Sequence, residues 1–246
     1  MSAMFALILT LFVLMILVGG KQGISSFLAL ALNTIVILIA VVLMAGGFSP
    51  LIVALIAGGI ILATTIFMGT GESEVAGVAF ISSLFIMAVL AVVILISLRY
   101  SATGGFGTED GEDLEGMGTA ISVSMVQIGA AAGLLGTLGA IAEAATAVAA
   151  GTYELDTRRD HAGIVQMGRE IIGTALNTLF FGFFGGFCGL FIWFVQLHYS
   201  MMVILNNKIF VSELLDVLFS VIAVILTVPA TIFVASKRWD SRRKEG

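Results

Sequence analysis

Long apolar runs broken by short polar connections make up almost the whole chain. A helix needs about 20 apolar residues to cross the hydrocarbon core of a bilayer. Seven stretches meet or approach that length: 2–18, 25–45, 50–68, 75–98, 126–150, 171–195 and 213–235. The pattern predicts an all-α, polytopic membrane protein of about seven helices, with 1–246 forming one transmembrane domain. Alternating strands with turn signals, the mark of a membrane β-barrel, do not occur. The first stretch has neither a basic leader nor a small-x-small cleavage site, and reads as a retained helix rather than a signal peptide. The fifth run extends back to Thr119 and on to Gly151, 33 residues. A straight helix of that length would be ~50 Å, so it must tilt, break or protrude.

Composition agrees. The chain is 59% hydrophobic and 11% charged, with a mean hydropathy of +1.15, whereas a soluble domain carries roughly 25% charged residues. One soluble core could not hide so much apolar surface. The lone Cys188 excludes an intramolecular disulfide. No basic and aromatic surface suggests nucleic acid. Ser–His–Asp, HExxH, CxxC, P-loop and GxGxxG elements are absent from the sequence, and His161 and His198 are predicted on opposite sides of the membrane. Neither an enzyme, nor a cofactor, nor a metal centre is expected.

Charge sets the expected orientation. With seven spans and a cytoplasmic C-terminus, the cytoplasmic pieces are 19–24, 69–74, 151–170 and 236–246. They hold Lys21, Arg158, Arg159, Arg169, Lys237, Arg238, Arg242, Arg243 and Lys244, against Arg99 and Lys208 outside. This asymmetry is what the positive-inside rule expects. It puts the N-terminus and the acidic loop 99–118, with Glu109, Asp110, Glu112, Asp113 and Glu115, outside. That acidic stretch lacks calcium-loop spacing and reads as a solvated loop.

Polar and small residues concentrate in the fifth and sixth spans. Gly129, Gly133, Gly136 and Gly139 lie in the fifth, and Gly182 with Gly186 and Gly185 with Gly189 in the sixth. Small residues four apart let helix backbones approach closely. Plain packing explains this; a path beside the backbone, or a moving helix, is the functional alternative. Glu143 sits in a run otherwise free of charge from Thr119 to Thr152. In hydrocarbon a carboxylate must be neutral, paired or wetted by a cavity. The other reading puts it in water at a helix end. If the fifth helix ends near Gly151 and the sixth begins near Glu170, Glu143 and Asn177 lie at similar depth on antiparallel helices, ~12 and ~10 Å in. Thr174, Asn177 and Thr178 share one helix face. A carboxylate opposite an amide and two hydroxyls could hold a proton, a cation or a polar substrate group; a bare interhelical hydrogen bond is the alternative.

Glu154, Arg158, Arg159, Arg169 and Glu170 form a second polar layer at the ends of this pair, and Arg169 could reach the Asn177 face. Ser212 is a candidate N-cap ahead of Glu213 and Asp216, and Pro229 should kink the seventh span or free a carbonyl. Asn206 and Asn207 lie in the preceding loop.

The elements Gly139-Ala-Ile-Ala-Glu143, Gly151-Thr-Tyr-Glu154-Leu155 and Gly168-Arg169-Glu170-Ile-Ile-Gly173-Thr174-Ala-Leu-Asn177-Thr178 resemble the YibE/F-like family of bacterial multi-spanning membrane proteins. Gly46-Gly-Phe-Ser49-Pro50, Gly105-Phe106 with the acidic run, Leu205-Asn206, Glu213 and Pro229 extend the resemblance from about Lys21 to Ala235. Family members more often carry aspartate at Glu143 and Glu170, and serine near Ala147. Many have an extracytoplasmic domain after the first helix, where this chain has only Lys21-Gln22-Gly23. The resemblance implies a short type in the bacterial cytoplasmic membrane, oligomeric and paired with a longer relative. The family is regarded as permease-like, without an established substrate.

The sequence therefore points to a permease or exporter subunit. Glu143 would be the proton or cation carrier, Thr174, Asn177 and Thr178 its polar ligands, and Glu154, Arg169 and Glu170 a cytoplasmic gate. The alternative is a non-transporting scaffold whose glycine faces dock a partner.

Overall fold

The computed structural model describes residues 3–101, 124–155 and 161–245, and only the backbone of 161 and 240–245. The acidic run at 109–115, Gly105, Phe106, Arg158 and Arg159 lie outside these residues. The described residues form helices alone: α1 (Ala3–Ala45), α2 (Pro50–Gly69), α3 (Ser73–Ser101), α4 (Met125–Glu154), α5 (His161–Gln196), the short α6 (Met201–Leu205) and α7 (Lys208–Glu245). Six of them are long and apolar enough to cross a membrane, and the chain is a multi-pass membrane protein.

The two spans expected at 2–18 and 25–45 are a single element, α1, broken at Gly20. Gly20 has φ 55° and ψ −129°, a conformation open only to a residue without a Cβ. The chain reverses there. Phe12 and Phe27 meet at a tilt with ring centroids 4.7 Å apart, whereas 15 residues of straight helix would part them by ~22 Å. Gly23 lies so close to the Met15 carbonyl that a side chain would not fit.

Three other helices differ in their bounds. α4 covers Met125–Glu154, so the 33-residue run does not form one helix among the described residues. α5 begins at His161 rather than near 171, so the helix takes up half of the loop expected at 151–170. α7 begins at Lys208 rather than 213. Its cap is not Ser212 but Asn207, whose Oδ1 accepts from Phe210 N at 3.1 Å, satisfying one of the free amides of the first turn. α7 then continues through Pro229.

α3, α4 and α7 make the closely packed centre, with α2 against α3 and α4, and α1 against α2. Their buried side chains form one cluster, including Leu62, Leu90, Ile94, Leu134, Ile141 and Phe219. Lipid is as apolar as leucine, so helices associate through close packing and interhelical hydrogen bonds rather than by hiding apolar surface. Both are present. A Cβ at Gly133 would stand 3.0 Å from Asp216 Oδ1. Between α1 and α2, Asn33 Nδ2 donates to Thr65 Oγ1 at 2.7 Å and its Oδ1 accepts from Thr64. Between α3 and α7, Thr231 Oγ1 donates to Ser82 Oγ at 3.0 Å, with both side chains buried. Tyr153 and Trp239 meet edge-on, 5.6 Å apart, joining the ends of α4 and α7.

α5 differs from the rest. It leans on α4 and α7 but buries few side chains, and a Cβ added at Gly173, Gly182, Gly185, Gly186 or Gly189 would meet nothing within 4 Å.

The Ser82–Thr231 bond should couple α3 to α7. In a double-mutant cycle of Ser82→Ala and Thr231→Val, followed by unfolding in mixed micelles, a coupling energy of about 0.6 kcal/mol is expected. Strictly additive losses would show that the bond contributes nothing.

Candidate functional site

Glu143 lies near the middle of α4, ten residues from Tyr153. Tyrosine and tryptophan settle at membrane–water interfaces, so the Tyr153–Trp239 pair marks one surface of the bilayer. Glu143 is then ~15 Å from that surface at 1.5 Å per residue, half the ~30 Å hydrocarbon thickness. Its immediate helix neighbours Ala142 and Ala144 are buried, while Glu143 itself is exposed and turned towards α5.

What it faces is a cavity of about 360 Å³ between α4, α5 and α7. Ala140, Glu143, Ala144 and Ala147 line it from α4, Glu170, Thr174 and Thr178 with three apolar neighbours from α5, and Val224 from α7. The alanines of α4 leave the space, because a larger residue at 140, 144 or 147 would point into it. Two carboxylates and two hydroxyls thus converge on one void with an apolar floor. Gln166 Nε2 donates to Glu170 Oε1 at 2.8 Å, which steadies that carboxylate. Thr178 Oγ1 donates to Thr174 O at 3.1 Å. With its proton committed to the backbone, the Thr178 oxygen presents lone pairs only. The arrangement is rich in acceptors, suited to a proton, a cation or a donor-bearing group; two facing carboxylates attract a cation more strongly than one.

Asn177 does not join the site. It is exposed and absent from the cavity lining. The register explains this. Gly151 lies against the Met167 side chain, and the antiparallel pairing this sets brings Thr174, one turn earlier than Asn177, to the level of Glu143. The matched depth expected for Asn177 assumed a helix starting near Glu170, nine residues late. Glu170, expected in a separate gate, lines the same cavity as Glu143. Glu154 is exposed at the end of α4, and Arg169 is exposed on α5 outside the cavity.

The glycines divide into two groups. A Cβ added at Gly129 would stand 3.4 Å from Leu98, and one at Gly133 would meet Asp216, Phe219 and Ile94. Gly136, Gly139, Gly182 and Gly186 touch no other helix. Asn206 donates to Met202 O at 2.7 Å and ends α6. Glu213 and Pro229 are exposed on α7. No group of three or more His, Cys, Asp or Glu able to hold a metal ion occurs among the described residues.

A family model described as YibE/F-like protein matches residues 7–240. The chain belongs to the YibE/F-like family. The match takes in α1 to α5 and most of α7, including every cavity residue of this family member. No curated protein and no solved structure matches the chain.

Two features of the site escaped the sequence reading. Ala147 is a cavity wall. Asp216, an acid within the apolar start of α7, stands over Gly133 of α4, where an added Cβ would be 3.0 Å from its Oδ1.

A cavity holding two acids should contain water. In a Cys188→Ser background, Ala147→Cys and Thr174→Cys should react with a water-soluble maleimide, which needs an ionised thiol. Phe181→Cys, on the outer face of α5, should not. Equal reactivity at all three positions would show that the cavity is no more hydrated than the lipid-facing surface.

Proposed function

We propose that this protein is a permease-like membrane subunit in which Glu143 carries a proton or a cation through the cavity between α4 and α5. The observation that carries this reading is the convergence of Glu143, Glu170, Thr174 and Thr178 on one void at about mid-bilayer depth. An ionisable residue inside a membrane is costly and lines ion or proton paths. Glu170 sits one turn nearer the Tyr153–Trp239 surface, so it is the next acceptor along the path, and Arg169 and Glu154 flank its mouth. Within this reading the chain crosses the bilayer seven times, because the reversal at Gly20 makes two crossings of α1. The N-terminus is outside and the C-terminus cytoplasmic, in accord with the basic residues at 237–244. The membrane is the bacterial cytoplasmic membrane, and the partner is a longer relative.

A second reading is favoured by the bare glycine face of α5. At Gly182, Gly185, Gly186 and Gly189 an added Cβ would meet nothing within 4 Å, and such faces serve for helix docking. On that reading the protein is a scaffold that stabilises a partner and transports nothing itself.

The two readings separate in liposomes containing the full chain with its partner. A dye sensitive to internal pH reports proton entry under an imposed potential, and a thallium-sensitive dye reports monovalent cations. Glu143→Gln should reduce the flux to background at unchanged expression, and Glu143→Asp should retain part of it. Unchanged flux in Glu143→Gln would remove the carrier role. Loss of the partner in Gly182→Leu, with normal flux machinery in the remaining chain, would favour the scaffold.

A further inference from the structure

A second carboxylate stands at the other end of the same helix seam. Asp216 lies eight residues into α7 and is half-buried between α3, α4 and α7. The α4 residue beneath it is Gly133, where a Cβ would stand 3.0 Å from Asp216 Oδ1, 3.4 Å from Phe219 and 3.6 Å from Ile94. A Cβ at Gly133 would force the carboxylate to shift by a few tenths of an ångström, so this glycine leaves the room in which the acid sits. Among the described residues no side chain donates a hydrogen bond to the Asp216 carboxylate; its backbone carbonyl accepts from Ser220 Oγ at 3.0 Å. An acid held in a packed seam without a donor is poised to take a proton or a small cation.

Its placement relative to Glu143 gives this a direction. Gly133 is 20 residues from Tyr153, ~30 Å along α4, at the far edge of the hydrocarbon core. Gly133 and Ala140 are seven apart and share one face of α4, and Ala140 lines the Glu143 cavity. On α7, Asp216 lies eight residues, ~12 Å, before Val224, which lines that cavity too. Asp216 therefore lies on the stretch of the α4–α7 seam that leads to Ala140 and Val224 at the wall of the Glu143 cavity.

We infer that Asp216, seated on Gly133, is the entry site on the face opposite the Tyr153–Trp239 surface, where a proton or small cation is taken up from water before it reaches Glu143. The inference rests on the carrier reading of Glu143 and names the site that supplies it. The charged groups around Asp216 are few. Glu213 is one turn away on α7, Lys208 is two turns away, and Arg99 lies five residues beyond Ile94 on α3; α4 carries no charge from Met125 to Ala142. Glu213 adds negative potential at the entrance and favours a cationic ligand.

The test uses dicyclohexylcarbodiimide, which modifies protonated carboxyl groups from the lipid phase, on the full chain in oriented liposomes, with the modified residues located by peptide mass. Asp216 should be modified. The modification should fall several-fold when the medium facing the start of α7 is made alkaline, and should not respond to the medium facing Trp239. Gly133→Ala should lower it, and Glu143→Gln should leave it intact. No modification of Asp216, or modification indifferent to both media, would overturn the inference and mark Asp216 as a structural acid. Side-dependent modification of Asp216 together with unchanged flux in Glu143→Gln would leave the uptake site standing and sink the carrier reading instead. Modification of Glu143 alone would do the reverse.

Discussion

Close backbone approach along α4 is the constraint on which the rest of this molecule depends. Hydrocarbon gives two apolar helices no reason to meet, so the bundle is held where small side chains let helices touch. The inner face of α4 supplies Ala130, Ala131, Gly133, Ala142, Ala145 and Ala149, all buried against α2, α3 and α7. Several hydroxyls at this centre pair with their own helix backbone: Thr137 with Leu134 O, Thr152 with Val148 O and Thr227 with Ala223 O. Thr231 instead reaches across to Ser82. The centre is thus a rigid frame on which α5 is mounted more loosely.

That division separates stability from chemistry. The face of α4 that binds α3 and α7 cannot vary without loss of the frame. The opposite face, running through Ala132, Gly136, Gly139, Glu143, Ala147 and Ala150, is exposed and free of bulk. α5 covers only part of it. A cavity forms because the alanines and glycines of one helix meet a helix held at both ends, near Met167 and Gly168 and where Phe183, Phe187 and Phe191 pack on Phe210. The carboxylates occupy the place where the packing leaves room.

Much of this was legible in the sequence. The apolar runs gave the helices, and the charge-free surroundings of Glu143 singled it out before any geometry was known. The family resemblance held over residues 7–240. The rest depended on quantities that a sequence does not carry. The residue level with Glu143 depends on a register fixed by Gly151 against Met167: of the three expected ligands, Thr174 and Thr178 line the cavity and Asn177 does not. Small-residue spacing marked both faces of α4 alike, because Gly133 and Gly136 look equivalent in a sequence although one is buried and the other bare. The α7 start was misplaced because Asn207, not Ser212, does the capping, and both residue types favour that position. Asp216 had a signal of its own, an acid inside an apolar run, but its contact with Gly133 joins residues 83 positions apart.

The reversal at Gly20 has a consequence for the surrounding lipid. The arm after it, 21–45, reaches ~38 Å, more than the ~30 Å hydrocarbon core. To cross as proposed, that arm must lean over or thicken the bilayer beside it. Such mismatch costs fractions of a kcal/mol per ångström. The hairpin would therefore stand aslant on one flank of the bundle and straighten as the surrounding bilayer thickens.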